Sequence, residues 1–508
     1  MVKRRALPLG ALLICASMAA FIAPAAGGQP SLPTAEPSVV VCDQPPGNPA
    51  PGTAAWEERD LNNLECATQR QQDELSNPAF LRMWAIESGE GDPGSATQAI
   101  VAQLEQPTRP TVNATHDSPG ATITDPFRDP VRWGEEGRGH QQTLTIDATD
   151  GAHLNARLYL PNGRGPFPGV LMIPGLQAYN EVYDWVGEGL AEAGYMVLIP
   201  DPQGQGGSEN LPHNPDGSIA CGASGCSDTS TNPASDQTQV VAVTSGLDFL
   251  LSTPAHPDPD AVGANAAGTL TYNPDWALLE SHNVGLAGHS NGAIAVTSAG
   301  QNDPRVKAVA SMDNLDGSIS LAPGAKIHAP ALYFGVDYPF PSVLEPMNPE
   351  SPPNPTLHQD FAYAQTVKAG LDSMVIVPRA STHYEFDYEP FPASLQSSRY
   401  GERVAFFYTL AWFDRYLRNN VVRDGHTATQ RLTAGYFDAS ADASSIGAGT
   451  YNPSAAAADP TNPAAGNVPY MIAGKCVSNL LSFYYQSAYS LNGGALANSH
   501  MENPLGCS

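Results

Sequence analysis

Between residues 169 and 417, short apolar runs alternate with longer stretches in which apolar residues recur at helical spacing. The apolar runs contain few polar residues, which is typical of strands buried on both faces of a parallel sheet. They predict strands at 169–173, 196–200, 284–287, 306–311, 330–335 and 373–378. The stretches between and after them predict helices at 182–193, 239–251, 361–369 and 404–417. This alternation indicates an α/β fold, with a mostly parallel, doubly wound sheet and helices on both faces.

Two further strands, 142–146 and 154–160, are predicted on either side of a turn at Asp150-Gly151. We therefore place the folded body at residues 133–420. An N-terminal extension, residues 28–132, combines amphipathic helical spacing at 56–86 with proline-rich linker segments. A C-terminal extension, residues 421–508, is rich in Ala, Ser, Gly and Asn, and we expect loops there with a final helix over 476–491.

Residues 1–27 have the pattern of a secretory signal peptide. A basic segment at 3–5 precedes an apolar segment at 6–22, and the small residues at 23–27 suit cleavage. No later run approaches the roughly 20 apolar residues that a membrane-spanning helix needs. We therefore expect a secreted protein without a membrane span.

The cysteines fit an exported chain. Of seven cysteines, one lies within the predicted signal peptide, and the remaining six favour up to three disulfides. The candidate pairs are Cys221 with Cys226, Cys42 with Cys66 and Cys476 with Cys507, the last two suggested by proximity alone. No second short-spaced pair completes a set of four metal ligands, so we expect no metal.

The charge and the glycine pattern limit the ligands. A formal net charge of −27 repels nucleic acids and anionic membranes. The glycine-rich segment 201–208 has some resemblance to a phosphate-binding loop, but no helix is predicted directly after it. We interpret the segment as a turn and expect no cofactor.

Residues 284–297 contain the clearest chemical motif. A short apolar run leads into Gly288-His289-Ser290-Asn291-Gly292, and small residues typical of a helix start follow. This is the pattern of a nucleophile elbow, a tight strand-to-helix turn that presents a serine at its tip. Ser290 is therefore the candidate nucleophile. We expect the side chain of His289 to support the turn rather than to act as the base.

A serine nucleophile needs a base and an acid, which follow it in the order serine, acid, histidine in this type of fold. His383 lies in a loop after the last predicted strand, and Asp337 lies at the end of the strand before it. We therefore predict Asp337 as the acid and His383 as the base. Three other carboxylates remain possible acids: Asp313, Asp316 and Glu345.

The negative oxygen that forms during attack needs two hydrogen-bond donors. One is expected to be the backbone N–H of Asn291, directly after the serine. The other is expected from the loop after the strand at 169–173, from the backbone of Leu176 or Gln177.

Four segments resemble the α/β-hydrolases, and in particular the dienelactone-hydrolase-like and secreted lipase-like or polyester-hydrolase-like esterases of bacteria. These segments are 174–177, 288–292, 334–337 and 383–386, and the resemblance extends over about residues 143–418. It implies an α/β-hydrolase fold and a serine esterase that acts on small or polymeric esters. Dienelactone hydrolases carry cysteine where this chain has Ser290, so the resemblance does not extend to their substrate.

Two other functions are compatible with the motifs. A serine peptidase would use the same three residues, and a binding protein could retain the fold without activity. A dehalogenase is disfavoured because it needs a carboxylate at the position of Ser290. We therefore expect a carboxylic-ester hydrolase that forms an acyl-enzyme.

Overall fold

A mixed ten-stranded sheet lies at the centre of the computed structural model, among the residues that it describes. The described residues are 50, 52–75, 130–176, 178–208, 237–261, 269–314, 317–338, 360–387, 399–423, 426–432, 436–437, 449–451, 467–469, 475–476, 481–482, 487–491 and 496–498. The predicted signal peptide, the linker segments and the side chains of the predicted disulfides lie outside them. The chain divides into two units, residues 1–35 and 36–508, and all the elements below belong to the second.

The strands and helices follow one another along the chain. The strands are β1 (Gly139–Asp147), β2 (His153–Pro161), β3 (Phe167–Ile173), β4 (Met196–Pro200), β5 (Leu279–His289), β6 (Val306–Met312), β7 (Ala331–Phe334), β8 (Ser373–Ile376), β9 (Val422–Arg423), β10 (His426–Thr427), β11 (Tyr436–Phe437), β12 (Gly449–Tyr451), β13 (Asn467–Pro469), β14 (Lys475–Cys476), β15 (Ala488–Leu491) and β16 (Leu496–Asn498). The helices are α1 (Ala54–Leu75), α2 (Pro130–Glu135), α3 (Asp184–Glu192), α4 (Gln237–Leu251), α5 (Asn291–Asn302), α6 (Asp360–Lys368), α7 (Arg399–Tyr416) and α8 (Ala428–Leu432). Short 3₁₀ helices span Asn180–Tyr183, Trp276–Leu278 and His383–Glu385.

The central sheet has the strand order β1-β2-β4-β3-β5-β6-β7-β8-β15-β16. Its six middle strands, from β4 to β8 in that order, pair in parallel. Antiparallel pairs complete both sides, since β2 pairs with β1 and β4, and β15 pairs with β8 and β16. The prediction of an α/β fold with a mostly parallel sheet is confirmed.

Two hydrophobic clusters pack on opposite faces of the sheet, and β3 contributes side chains to both of them. Val170 and Met172 belong to the cluster that contains the buried residues of α3 and α7. Leu171 and Ile173 belong to the cluster that contains those of α4 and α5. Because successive side chains of a strand point to opposite faces, an uninterrupted apolar run covers both.

One prediction about the C-terminal extension is wrong. The final helix expected over 476–491 is not present among the described residues there, and Ala488–Leu491 forms β15 instead. β15 adds to the edge of β8, where Tyr489 pairs with Met374. The edge of β8 offers backbone hydrogen-bond partners to this segment, which replace those that a helix would supply. Tyr489 and Leu491 are also buried in this position, so a strand is favoured over a helix. Among the helices in the described ranges, none has the length and apolar character required to cross a bilayer.

Candidate active site

Ser290 lies at a sharp turn between β5 and α5. Its backbone has φ 54° and ψ −123°, a conformation that non-glycine residues seldom adopt. Two hydrogen bonds fix the turn: Ser290 N donates to Met312 O over 3.0 Å, and Ile294 N donates to Ser290 O over 3.0 Å. The strained turn therefore joins the end of β5 directly to the first turn of α5.

Close backbone packing explains the two glycines of the motif. A Cβ atom on Gly288 would lie 2.5 Å from the carbonyl oxygen of Gly292. A Cβ atom on Gly292 would lie 2.2 Å from the carbonyl oxygen of Ile173, at the end of β3. Both separations are far below van der Waals contact, so neither position has room for a side chain.

The loop after β3 lies against the serine. A Cβ atom on Gly175 would be 3.0 Å from Cβ of Ser290, so the backbone of this loop passes directly over the turn. Leu176 follows and is exposed, whereas Gln177 lies outside the described residues. Asn291 is the first residue of α5, where backbone N–H groups are not used within the helix. The assignment of Asn291, Leu176 and Gln177 as oxyanion donors stays a prediction.

The glycine-rich segment 201–208 is a turn, as predicted, and it supports this loop. Nε2 of Gln205 donates to the carbonyl oxygens of Gly175 and Ala178, each over 2.9 Å. The turn itself is held by Asp201, whose carboxylate accepts from the backbone N–H of Gly207 over 2.9 Å. Sequence reasoning missed Gln205, because nothing in the spacing of the glycines indicates what its side chain contacts.

His383 begins the 3₁₀ helix that follows β8, and it is paired with a carboxylate. Its Nδ1 lies 2.5 Å from Oδ2 of Asp313, and both side chains are buried. Asp313 comes directly after β6 and has φ 50°, a second strained backbone position close to Ser290. A carboxylate beside Nδ1 fixes the proton on that nitrogen, which leaves Nε2 as the basic nitrogen of the neutral ring.

The carboxylate beside His383 therefore differs from the one that we predicted. Asp337 accepts hydrogen bonds from the backbone N of Ala380 over 2.7 Å, from Nδ2 of Asn63 over 3.2 Å and from Oγ of Ser482. Burial raises the pKa of Asp337 to about 6, although these donors oppose the shift. The side chain binds the N- and C-terminal extensions to the body and is not the partner of His383.

The order of the strands explains why Asp313 is favoured. β6 is the immediate neighbour of β5, which ends at the residue before Ser290, whereas β7 is one strand further away. Asp313 and Asp337 both follow strands of the same sheet, and the sequence does not reveal which carboxylate reaches the histidine. The other two candidates, Asp316 and Glu345, lie outside the described residues.

His289 is completely buried between Ser290 and the surrounding loops. Its Nδ1 lies 2.8 Å from the hydroxyl of Tyr183, and its Nε2 lies 3.0 Å from the carbonyl oxygen of His383. Burial, with His383 nearby, lowers the pKa of His289 well below its ordinary value. These contacts agree with a supporting role and leave the side chain of His383 as the candidate base.

No known family model matches this chain, and no curated protein matches it. Within the described ranges, no group of three or more His, Cys, Asp or Glu side chains is arranged to hold a metal ion. The function is therefore inferred from the chemistry of the site. It combines a hydroxyl at a strained turn, a helix N-terminus beside it and a histidine paired with a buried carboxylate.

Proposed function

We propose that this protein is an α/β-hydrolase that cleaves carboxylic esters with Ser290 as nucleophile, His383 as base and Asp313 as acid. In the first step, Oγ of Ser290 attacks the ester carbonyl and Nε2 of His383 takes its proton. The protonated imidazole then gives that proton to the leaving alcohol, and an acyl-enzyme forms. Water, activated by the same nitrogen, releases the carboxylic acid and restores Ser290.

The pairing of His383 with Asp313 is the observation that carries this proposal. The imidazole gains a positive charge in each step, and a carboxylate 2.5 Å from Nδ1 stabilises that charge and holds the ring orientation. A merely structural histidine in a surface loop would not need a buried carboxylate at the end of the strand next to the serine. The strand order and the serine at a strained strand-to-helix turn also support an α/β-hydrolase fold.

The negative oxygen would bind to the backbone N–H of Asn291 and to that of Leu176 or Gln177. The position of Gly175 against Cβ of Ser290 supports this assignment, because the carbonyl under attack must lie within reach of both segments. We also propose that the chain is exported, on the basis of residues 1–27.

Labelling with a fluorophosphonate probe tests the nucleophile. We expect labelling of the wild-type protein, loss of labelling in Ser290→Ala, and normal labelling in the control Ser298→Ala, which changes another serine on α5. Hydrolysis of p-nitrophenyl butyrate should exceed that of peptide p-nitroanilides. Preference for the anilides would favour a peptidase, and labelling that persists in Ser290→Ala would refute the mechanism.

A further inference from the structure

A continuous series of hydrogen bonds connects the two loops on either side of Ser290. The backbone N of Gly175 donates to the hydroxyl oxygen of Tyr183 over 3.1 Å. That hydroxyl lies 2.8 Å from Nδ1 of His289, and Nε2 of His289 lies 3.0 Å from the carbonyl oxygen of His383. The series begins in the loop after β3 and ends at the backbone of the candidate base.

The direction of each hydrogen bond follows from the chemistry of the groups. A carbonyl oxygen only accepts, so Nε2 of His289 must carry the proton that it shares with His383. In the neutral ring, Nδ1 then has a lone pair and accepts from the hydroxyl of Tyr183. The hydroxyl oxygen in turn accepts from the N–H of Gly175. One arrangement of protons therefore satisfies all three contacts.

The surroundings of His289 favour the neutral ring that this arrangement needs. The titratable groups that face it are Tyr183, the ring of His383 at a centroid distance of 4.6 Å, and Asp387, whose Oδ2 lies 3.6 Å from Nδ1. A carboxylate favours a charged ring, but this one lies beyond hydrogen-bond distance, and burial acts in the opposite direction. Burial lowers the pKa of His289, and His383 lowers it further. A proton added at Nδ1 would prevent that nitrogen from accepting the hydrogen bond of Tyr183.

We propose that Tyr183 and His289 are positioning residues that fix the loop with the oxyanion donors relative to the loop with the base. This inference rests on the proposed function, in which both loops act on the same carbonyl group. The coupling acts on the transition state, because the oxyanion and the imidazolium form together and must be stabilised from both sides. Loss of the series should therefore lower kcat more than it raises KM.

Three substitutions test the proposal by steady-state kinetics with p-nitrophenyl butyrate. Tyr183→Phe keeps the ring and removes the hydroxyl, and we expect kcat to fall by roughly five- to twentyfold with KM changed by less than about threefold. His289→Gln keeps an amide donor for the carbonyl of His383, whereas His289→Leu has none. We expect His289→Gln to retain about five times more activity than His289→Leu.

A double-mutant cycle tests whether the two residues act together. In a connected series, Tyr183→Phe should have little further effect once His289→Leu is present, so the double variant should resemble the more damaged single variant. If the loss of kcat in the double variant equals the product of the losses in the two single variants, the proposal is wrong. An unchanged kcat in Tyr183→Phe would also overturn it. If His289→Leu does not fold, the same cycle is measured with His289→Met, which also lacks a donor for the carbonyl of His383.

Two controls separate this proposal from general damage and from the proposed function. Tyr333→Phe also removes a buried hydroxyl, which lies 3.0 Å from Oγ1 of Thr366, and it should leave kcat within about twofold of wild type. An equal loss in Tyr333→Phe would show that the effect of Tyr183→Phe is not specific and would overturn the positioning role. Ser290→Ala tests the nucleophile alone. Full activity in that variant would reject the esterase mechanism, whereas its inactivity beside a fully active Tyr183→Phe would reject only the positioning role.

Discussion

Oδ2 of Asp313 lies 2.5 Å from Nδ1 of His383, although 70 positions separate the two residues in the sequence. The contact forms because β6 and β8 lie in the same sheet and the loops at their carboxyl ends meet above it. Both side chains are buried, so the ion pair that forms during catalysis is shielded from solvent. Shielding of this kind strengthens the stabilisation of an imidazolium.

Substitution of this carboxylate should damage the chemistry without removing the nucleophile. We expect Asp313→Asn to lower kcat for p-nitrophenyl butyrate by roughly a thousandfold or more, because an amide no longer stabilises the imidazolium or fixes its tautomer. Fluorophosphonate labelling should be slow but detectable. The matched variant is Asp337→Asn, which should lose less than about tenfold in kcat, and the reverse order would show that Asp337 is the acid after all.

The stability of the wild-type protein should depend on pH in a defined direction because of Asp337. The folded protein binds a proton at Asp337 with a pKa of about 6, compared with an ordinary value of 3.8. Between these values the native state holds more protons than the unfolded state, so the free energy of unfolding falls as the pH rises. The contribution of this group is fully present below pH 3.8 and lost above pH 6, with a total of about 3 kcal/mol.

The amide that replaces the carboxylate in Asp337→Asn does not titrate, so the variant should lack this part of the pH dependence. Chemical denaturation gives the free energy of unfolding of the wild-type protein and of the variant. We would measure it at about pH 4 and about pH 7, because the contribution of Asp337 is lost between these two conditions. A difference between the two proteins that stays constant with pH would contradict the raised pKa.

A methyl group on Gly292 should disrupt the serine turn. Its Cβ would lie 2.2 Å from the carbonyl oxygen of Ile173 and 2.5 Å from that of Pro174, and both oxygens are backbone atoms that cannot move without the backbone itself. We expect Gly292→Ala to lower the free energy of unfolding by roughly 2–4 kcal/mol and to abolish labelling. Gly134→Ala is the control, because its nearest neighbour would be at 3.8 Å, and it should be neutral in both measurements.

Gln205 should affect activity through the loop that it holds. Gln205→Leu removes the donor to the carbonyl oxygens of Gly175 and Ala178, so we expect kcat to fall by about tenfold. Gln301→Leu is the matched control, since Gln301 is also buried and its side-chain amide forms hydrogen bonds with the backbone N–H and carbonyl oxygen of Ala329. It should lower the melting temperature without a comparable loss of kcat. Equal losses of kcat in both variants would contradict the specific role of Gln205.

The hydrophobic pattern was sufficient to predict the central strands and the surrounding helices. Runs such as 169–173 are uninterrupted and bounded by turn residues. The local preference for a strand and the burial of the segment in the sheet therefore favour the same conformation. The strand at 488–491 was not predictable in the same way. Its conformation depends on the edge of β8, which lies more than a hundred residues earlier in the chain.

The candidate site was predictable only where the sequence itself fixes geometry. The glycines around Ser290 determine a turn locally, and the histidine follows the last parallel strand of the body. The choice between Asp313 and Asp337 depends on which neighbouring strand is closer to the serine, and the contacts of Tyr183 and Gln205 depend on tertiary packing. None of these is encoded in spacing along the chain.

The carboxylate of Asp337 receives hydrogen bonds from Asn63 and Ser482, which belong to the two extensions. A fragment trimmed to residues 133–420 would therefore leave a buried anionic group without two of its donors and would also open the side of β8 that β15 covers. We therefore expect that residues 133–420 do not fold stably without the two extensions. Recombinant versions of this protein should therefore retain both ends.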